Sequence, residues 1–317
     1  MQKKVLIRCD ASKDIGLGHI TRCLVLANHF RDEGYKVFFA IKDYGIAKEK
    51  LIEQKFDILL ANEKEFDYFN WIKNIVEQKK INLFIGDIRD GFPIDLITYM
   101  KNKNILTIAI DEPSEYAKEC ALCFYPPHAN IDESLYKGKV YKGLEYVILR
   151  PEFYKEFEKK KNNIPNILVM MGGTDTFNLT LPIIKQIDKN DKKFEISVIL
   201  SDKHKDINQL NKFVETSKHQ IKVYNEVKDM SSFLNKIDFA ISLFGSVAYE
   251  YLIKNIPSIY IQHEKEISTT HNYFINNNYA IVNDMENINI DKLFILFFQL
   301  RFKCKIFELI KEVNNGN

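Results

Sequence analysis

The chain reads as an α/β protein of two doubly wound domains facing each other across a cleft. Three observations predict this. Short apolar, β-branched runs without polar alternation recur along the chain, as expected of strands buried on both faces. Segments of helical periodicity separate them. The whole alternation occurs twice, on either side of a charged stretch that ends in Pro165.

In the first half, Val5-Leu6-Ile7 forms the opening strand. Ile20, Cys23, Leu24, Ala27 and Phe30 then line one face of a helix, with Gly34 placed to cap its carboxyl end. Val37–Ile41, Leu83-Phe84-Ile85 and Ile105–Ile110 read as further strands with helical stretches between them. The run PEFYKEFEKKKNNIP over 151–165 marks the boundary, so domains are expected at 1–150 and 151–317. Beyond it, Ile167–Met170, Ile196–Leu200, Ile221–Tyr224, Phe239–Ile241 and Ser258–Ile261 repeat the pattern. Asp291 to Val313 reads as one long helix closing the second domain, with 314–317 a frayed tail. Ligands in such folds sit outside the carboxyl ends of the strands, where the polar loops begin.

Composition narrows the function classes. At 317 residues the chain suits about two domains, and its 46% hydrophobic and 28% charged residues suit a folded protein. Lys and Arg total 45 against 43 Asp and Glu, a net +2 that argues against a nucleic-acid or membrane-surface partner. The opening MQKKVLIRCD lacks the apolar core of an export signal, and no apolar stretch approaches the roughly 18 residues needed to cross a bilayer. Five scattered cysteines read as reduced thiols in a cytoplasmic protein, expected as a monomer without membrane insertion.

Three strand-to-helix loops carry the candidate chemistry. The first runs Arg8-Cys9-Asp10-Ala11-Ser12-Lys13-Asp14-Ile15-Gly16-Leu17-Gly18-His19. Gly16 and Gly18 let backbone approach a ligand, and the new helix offers free N–H groups to an anion. It is not a dinucleotide fingerprint: Thr21 stands where the third glycine belongs, and the loop before Gly16 is too long and polar. The positive end of the helix disfavours a protonated imidazole at His19, leaving a candidate base, against the alternative of a packed or capping histidine. Arg22, on the same helical face, can hold an anionic group; otherwise it is an exposed helix arginine.

The second loop, Met170-Met171-Gly172-Gly173-Thr174-Asp175-Thr176-Phe177-Asn178, ends a strand in two glycines, after which Thr174, Asp175 or Thr176 can cap a helix. In the third, Gly245-Ser246 open another helix where a pyrophosphate can bind, and Glu250 sits one turn on, able to accept from both ribose hydroxyls. Taken alone, either loop is as readily a plain turn and cap. Cys120-Ala121-Leu122-Cys123 has no second cysteine pair and reads as buried thiols. Asp10, Asp14, Asp87 and Asp90 lie near strand ends without a metal-binding pattern. The Asn178-Leu179-Thr180 sequon has no use in a cytoplasmic chain.

Together R-C-D-A-S-K-D-I-G-L-G-H-I-T-R, the later L-R-P-E-F-Y, M-G-G-T-D-T-F-N-L and S-x-x-x-E resemble the UDP-sugar hydrolases of pseudaminic acid biosynthesis (PseG) and the SpsG-type spore-coat polysaccharide proteins. The resemblance runs from the first strand to just beyond Glu250. It implies a GT-B-like fold of two Rossmann-like halves and hydrolysis of a UDP-linked 2,4-diacetamido-2,4,6-trideoxy hexose to free sugar and UDP, without metal or other cofactor. It further implies that His19, in the sugar-side domain, is the base for the attacking water. By the same matching, Gly172, Gly173 and Asn178 border the nucleotide-sugar in the second domain. Glu250 there grips the ribose, Arg150 approaches from the linker, and Asp10 lines the sugar or orients His19.

This chain departs from the pseudaminic pattern after Ile85. There Gly86-Asp87-Ile88-Arg89-Asp90-Gly91 replaces an Asp-x-Tyr-type segment, and Arg89 is closer to the SpsG type, so the sugar stays open. His271 is a candidate phosphate contact or a surface histidine. Two other readings remain: a glycosyltransferase using an acceptor hydroxyl in place of water, and a non-catalytic nucleotide-sugar binder in which His19 is expendable.

Overall fold

The computed structural model describes all residues except 1, 10–17, 43–44, 62–65, 90, 112, 160–161, 173–174, 203, 263–268, 285–287, 297–303 and 315–317. The chain divides into two compact units, Met1–Arg150 with Lys303–Asn317, and Pro151–Phe302.

The first unit runs β1 (Lys4–Cys9), α1 (Gly18–Asp32), β2 (Lys36–Ile41), α2 (Gly45–Glu53), β3 (Asp57–Leu60), α3 (Tyr68–Lys79), β4 (Leu83–Asp87), α4 (Ile94–Asn102), β5 (Leu106–Ile110), α5 (Glu115–Glu119), β6 (Leu122–Tyr125) and β7 (Lys139–Lys142). Its seven strands are parallel and ordered β3-β2-β1-β4-β5-β6-β7. The order reverses between β1 and β4, so the loops after these two strands flank the switch point where open α/β sheets bind ligands. Successive residues of β1 face opposite sides: Val5, Ile7 and Cys9 join the layer with α1, while Leu6 packs with α3 and α4. Helix α1 ends as its sequence predicts, with Gly34 in the left-handed region at φ +85° and the Tyr35 N–H donating to the Phe30 carbonyl at 2.9 Å.

The second unit runs β8 (Asn166–Met170), α6 (Thr180–Asp188), β9 (Glu195–Ile199), α7 (Ile207–Thr216), β10 (Gln220–Tyr224), α8 (Met230–Leu234), β11 (Phe239–Ser242), α9 (Val247–Ile253), β12 (Ser258–Ile261), α10 (Thr269–Asn276) and β13 (Ala280–Asn283). Its six parallel strands lie β10-β9-β8-β11-β12-β13, reversing between β8 and β11.

Four strands escaped the sequence reading: β3, β6, β7 and β13. Three of them are edge strands; of the four, only β7, Lys-Val-Tyr-Lys, lacks an apolar run, and β3, β6 and β13 carry runs of three or four residues. The long terminal helix is also corrected. Ile290–Ile295 is a stretch of 3₁₀ turns, and a separate helix, α11 (Ile306–Asn314), follows. Helix α11 belongs to the first unit, whereas the boundary at Arg150 had assigned the whole terminus to the second. Its Ile306 and Ile310 enter the core beneath α1, Phe307 stacks on His29 at 3.8 Å, and Lys311 pairs with Glu33 at 2.9 Å. An amphipathic helix can bury its stripe against any complementary layer, and proximity in sequence does not choose which.

Truncating Ile306 to Ala is expected to lower the stability of the first unit by about 2–4 kcal/mol. Trp71, the single tryptophan, lies in α3 of that unit and reports its unfolding in urea. An unshifted Trp71 transition would remove α11 from that core.

Candidate active site at the switch point of the first unit

The site begins with two elements that the sheet order brings together. Helix α1 carries His19 and Arg22 in its first turns, and β4 ends in Asp87, which is level with Cys9 of β1. Val5, Leu83 and Ile85 hold this face of the sheet against α1, so Asp87, in step with Leu83 and Ile85, points at the helix.

Asp87 is fully buried, and its two oxygens are saturated. Oδ1 lies 2.6 Å from His19 Nδ1 and accepts from Arg22 Nη2 at 2.7 Å. Oδ2 accepts from Arg22 Nε at 2.5 Å and more weakly from the Cys23 thiol at 3.7 Å. Burial pushes the carboxyl up, but the Arg22 charge and the hydrogen bonds from His19 and Arg22 outweigh it, holding Asp87 at about 2 against an ordinary 3.8. Burial likewise works against the Arg22 charge, and Asp111 and Asp87 more than reverse it.

Arg22 is thus not an exposed helix arginine. The anions it holds are the protein's own: Nη1 pairs with Asp111 at 2.8 Å while Nε and Nη2 serve Asp87. His19 is 3% exposed, and its Nδ1 has a second neighbour, Arg22 Nη2 at 2.7 Å. A ring nitrogen bears either a proton or a lone pair in the plane. Nδ1 therefore donates to Asp87 or accepts from Arg22, not both. With Nδ1–H on Asp87, the lone pair belongs to Nε2, the form in which the imidazole can take a proton from a bound water.

The carboxylate that holds the ring is Asp87. Asp10, given that part by the family resemblance, lies with Gly16 outside the described residues. Gly18 opens α1. Asp87 carried no functional signal in the sequence beyond its place at a strand end, because it stands 68 residues from His19. Asp111 was not singled out at all. The signal available for it was a carboxylate at the end of a strand near the switch point.

In the second unit the glycine loop follows β8 with Gly172 at φ +76°, and Gly173 lies outside the described residues. Of the three possible caps, Thr174 lies outside the described residues and Asp175 holds the start of α6: its buried carboxylate accepts from the N–H groups of Leu179 at 2.9 Å and Thr180 at 3.0 Å. Asp175 and Asn178 both take left-handed backbone, at φ +42° and +55°, and the Asn178 N–H donates to the Asp175 carbonyl. This is a loop held tightly in an uncommon shape. The third loop leaves Gly245 and Ser246 exposed, and the Ser246 side chain makes no capping bond to α9. Glu250 is half-buried on α9, and Arg150 is half-buried at the end of the first unit.

The Cys120 and Cys123 thiols are buried, donating to the Tyr116 and Ala117 carbonyls, and burial raises both. Among the described residues no group of three or more His, Cys, Asp or Glu is arranged to hold a metal ion, and no helix is long and apolar enough to cross a membrane.

No family model matches the chain. Curated relatives do. The UDP-2,4-diacetamido-2,4,6-trideoxy-beta-L-altropyranose hydrolase of Campylobacter jejuni is 26% identical over 275 residues, covering 84% of this chain and 95% of that protein. The spore coat polysaccharide biosynthesis protein SpsG of Bacillus subtilis is 23% identical over 289 residues, covering 87% and 82%. An uncharacterized protein of Methanocaldococcus jannaschii, MJ1062, is 26% identical over 91% of this chain, which spans 64% of that relative's length. These relatives support, at the level of the family, the PseG and SpsG resemblance read from the motifs. Among solved structures, MurG of Acinetobacter baumannii matches with a TM-score of 0.68 at 12% identity, over 92% of this chain and 88% of that one. The UDP-GlcNAc 2-epimerase of Methanocaldococcus jannaschii matches at 0.59 and 14%, over the full length of both. The fold is of the GT-B type, with two Rossmann-like units.

Ionised Asp87 contributes stability above its unfolded value near 3.8, and that contribution is lost as the pH falls toward about 2. The shift corresponds to roughly 2 kcal/mol. Asp87→Asn is expected to cost about 3–5 kcal/mol at neutral pH by leaving Arg22 without its partner. It should also flatten the acid side of the stability profile. Urea midpoints measured across that range check this, and an equally steep acid loss in the variant would show that folded Asp87 is not the ionised group.

Proposed function

We propose that the protein hydrolyses a UDP-linked diacetamido trideoxy hexose to free sugar and UDP, in the making of a nonulosonic acid or of a surface polysaccharide. The observation that carries this is the buried Asp87 carboxylate against His19 Nδ1, the arrangement that orients an imidazole as a base. Its supports are the names of the Campylobacter and Bacillus relatives, an altropyranose hydrolase and a spore-coat polysaccharide protein.

In this reading His19 Nε2 takes a proton from water as the water oxygen attacks the anomeric carbon. The bond from that carbon to the nucleotide oxygen breaks, and UDP leaves with the electron pair. The ring becomes positively charged as it takes the proton, and Asp87 stabilises that charge without taking the proton itself. UDP is a stable anion, so it departs without a general acid where backbone amides absorb its charge. Gly172, Gly173, Asn178, Gly245 and Ser246 are the groups assigned to the nucleotide-sugar, Glu250 the ribose, and Asp10, Gly16, Gly18 and Arg150 the sugar and phosphate side. Arg22 acts through Asp87, because each of its three nitrogens is engaged by Asp87 or Asp111.

Transfer to an acceptor is the second reading, because the fold shared with MurG accommodates either outcome. The same base can deprotonate an acceptor hydroxyl. Proton NMR with a panel of UDP-, CDP- and GDP-sugars and no acceptor separates the two. Release of free sugar with UDP is expected, whereas intact nucleotide-sugar that still binds would end the hydrolase reading and leave transfer or non-catalytic binding.

His19→Asn keeps the size and hydrogen bonding of the ring but removes the base, so turnover should fall at least about a hundredfold with UDP affinity held. Unchanged turnover would end the base assignment. Glu250→Ala should weaken UDP binding about tenfold by calorimetry, and equal affinity would discard the ribose contact.

A further inference from the structure

On the face of the sheet turned away from α1, the carboxyl edge carries a second cluster of side chains that the hydrolytic scheme does not use. Arg8 is fully buried on β1, one residue before Cys9. Its Nε donates to the Tyr68 hydroxyl at 2.8 Å, and Nη1 donates to the Cys9 carbonyl. The guanidinium carbon lies 5.5 Å from the centre of the Tyr68 ring and 5.7 Å from that of Trp71. Phe66 packs on both rings, at 5.0 Å from Tyr68 and 5.7 Å from Trp71. Phe66 is 39% exposed, and the exposed Lys42, just beyond β2, holds its ammonium 4.9 Å from the Phe66 ring and 5.6 Å from that of Tyr68.

This aromatic wall adjoins the switch point. Arg8 is in register with Gly86 of β4, as Cys9 is with Asp87. Tyr68 meets Phe92, just beyond β4, at 5.2 Å, and Phe92 meets the buried Tyr116 at the same distance. Burial raises the Tyr116 phenol, and its neighbours Cys120, Asp87 and Tyr68 raise it further. The wall and the carboxylate that holds His19 therefore flank one side chain. An arginine taken out of water to brace a half-buried ring fixes that ring before any ligand arrives, which lowers the ordering cost of binding.

We infer that Phe66, Tyr68 and Trp71, with Lys42 at their rim, form the subsite for the sugar of the substrate: its methyl groups lie on the rings, and the Lys42 ammonium donates to an acetamido carbonyl. This rests on the reading of the substrate as a diacetamido trideoxy hexose. Such a sugar carries three methyl groups, one on each acetyl and one at the 6-deoxy carbon, and is far more apolar than a common hexose. Ring faces take up methyl groups that water solvates poorly. Each acetamido group also presents a carbonyl oxygen, an acceptor that an ammonium can serve. Neither glucose nor UDP offers a methyl group to such a wall.

Trp71 is the single tryptophan, so its fluorescence reads the wall without any turnover. The full chain is titrated with the free 2,4-diacetamido-2,4,6-trideoxy hexose, with glucose and with UDP. The diacetamido sugar should shift the emission in a saturable way, and glucose and UDP should leave it unchanged. Phe66→Ser and Lys42→Ala, both at exposed positions, should keep the urea transition of the unaltered protein. They should raise the half-saturating sugar concentration about tenfold and about threefold. An emission unmoved by the sugar, an equal response to UDP or glucose, or undiminished affinity in either variant would overturn the subsite. The hydrolase reading fails separately. A chain that cleaves no nucleotide-sugar yet answers the free sugar at Trp71 keeps the subsite, and one that cleaves with Trp71 unmoved holds its sugar elsewhere.

Discussion

A carboxylate with no exposure to water sits at the end of β4, and much of the first unit is arranged around keeping it charged. Taking an ion out of water costs several kcal/mol even after the protein relaxes, and a neighbour of opposite charge offsets this only with good geometry and saturated hydrogen bonds. Asp87 has both, through Nε and Nη2 of Arg22 and the His19 ring. Because the arginine and histidine are three residues apart on one helix, satisfying Asp87 fixes the rotation of α1 about its axis. The same contacts that tolerate a buried charge therefore aim an imidazole.

Helix α1 is held at its other end by different physics. There His29 stacks on Phe307 of α11, and Lys311 reaches Glu33, over a patch of aliphatic core that includes Ile306 and Ile310. The exposed ion pair adds little, and the buried side chains contribute most. A helix pinned by apolar packing at its carboxyl end and by a charge network at its amino end has little freedom to shift. A base that must meet a water within a few tenths of an ångström needs that rigidity. The second unit fixes its glycine loop by another local device, the Asp175 carboxylate accepting two backbone N–H groups at the entry to α6, those of Leu179 and Thr180.

The doubly wound character of both units was legible in the chain because strands buried on two faces leave continuous apolar runs, as in Val37–Ile41 and Ile167–Met170. The strands that escaped notice are each four residues long, and one of them, Lys139–Lys142, has no apolar run at all. Gly34 was readable as a cap, and Asp175 as one of three possible caps, because capping depends on residues a few positions apart. His19 stood out by its place at the start of a helix after a glycine-bearing loop. Arg22 was visible as its neighbour, although its partners were not.

By itself the sequence determined most of the local units: nine of the strands, the loops that leave their carboxyl ends, and that a histidine opens the first helix. These follow from periodicity and turn chemistry within a span of a few residues. Only the tertiary structure decided which carboxylates meet that histidine and its arginine, and which layer the terminal helix covers. Asp87 reaches α1 because the crossover order sets β4 beside β1, and Asp111 reaches Arg22 because β5 lies next to β4. Adjacency of strands is set by how whole layers pack, and no stretch of neighbouring residues encodes it.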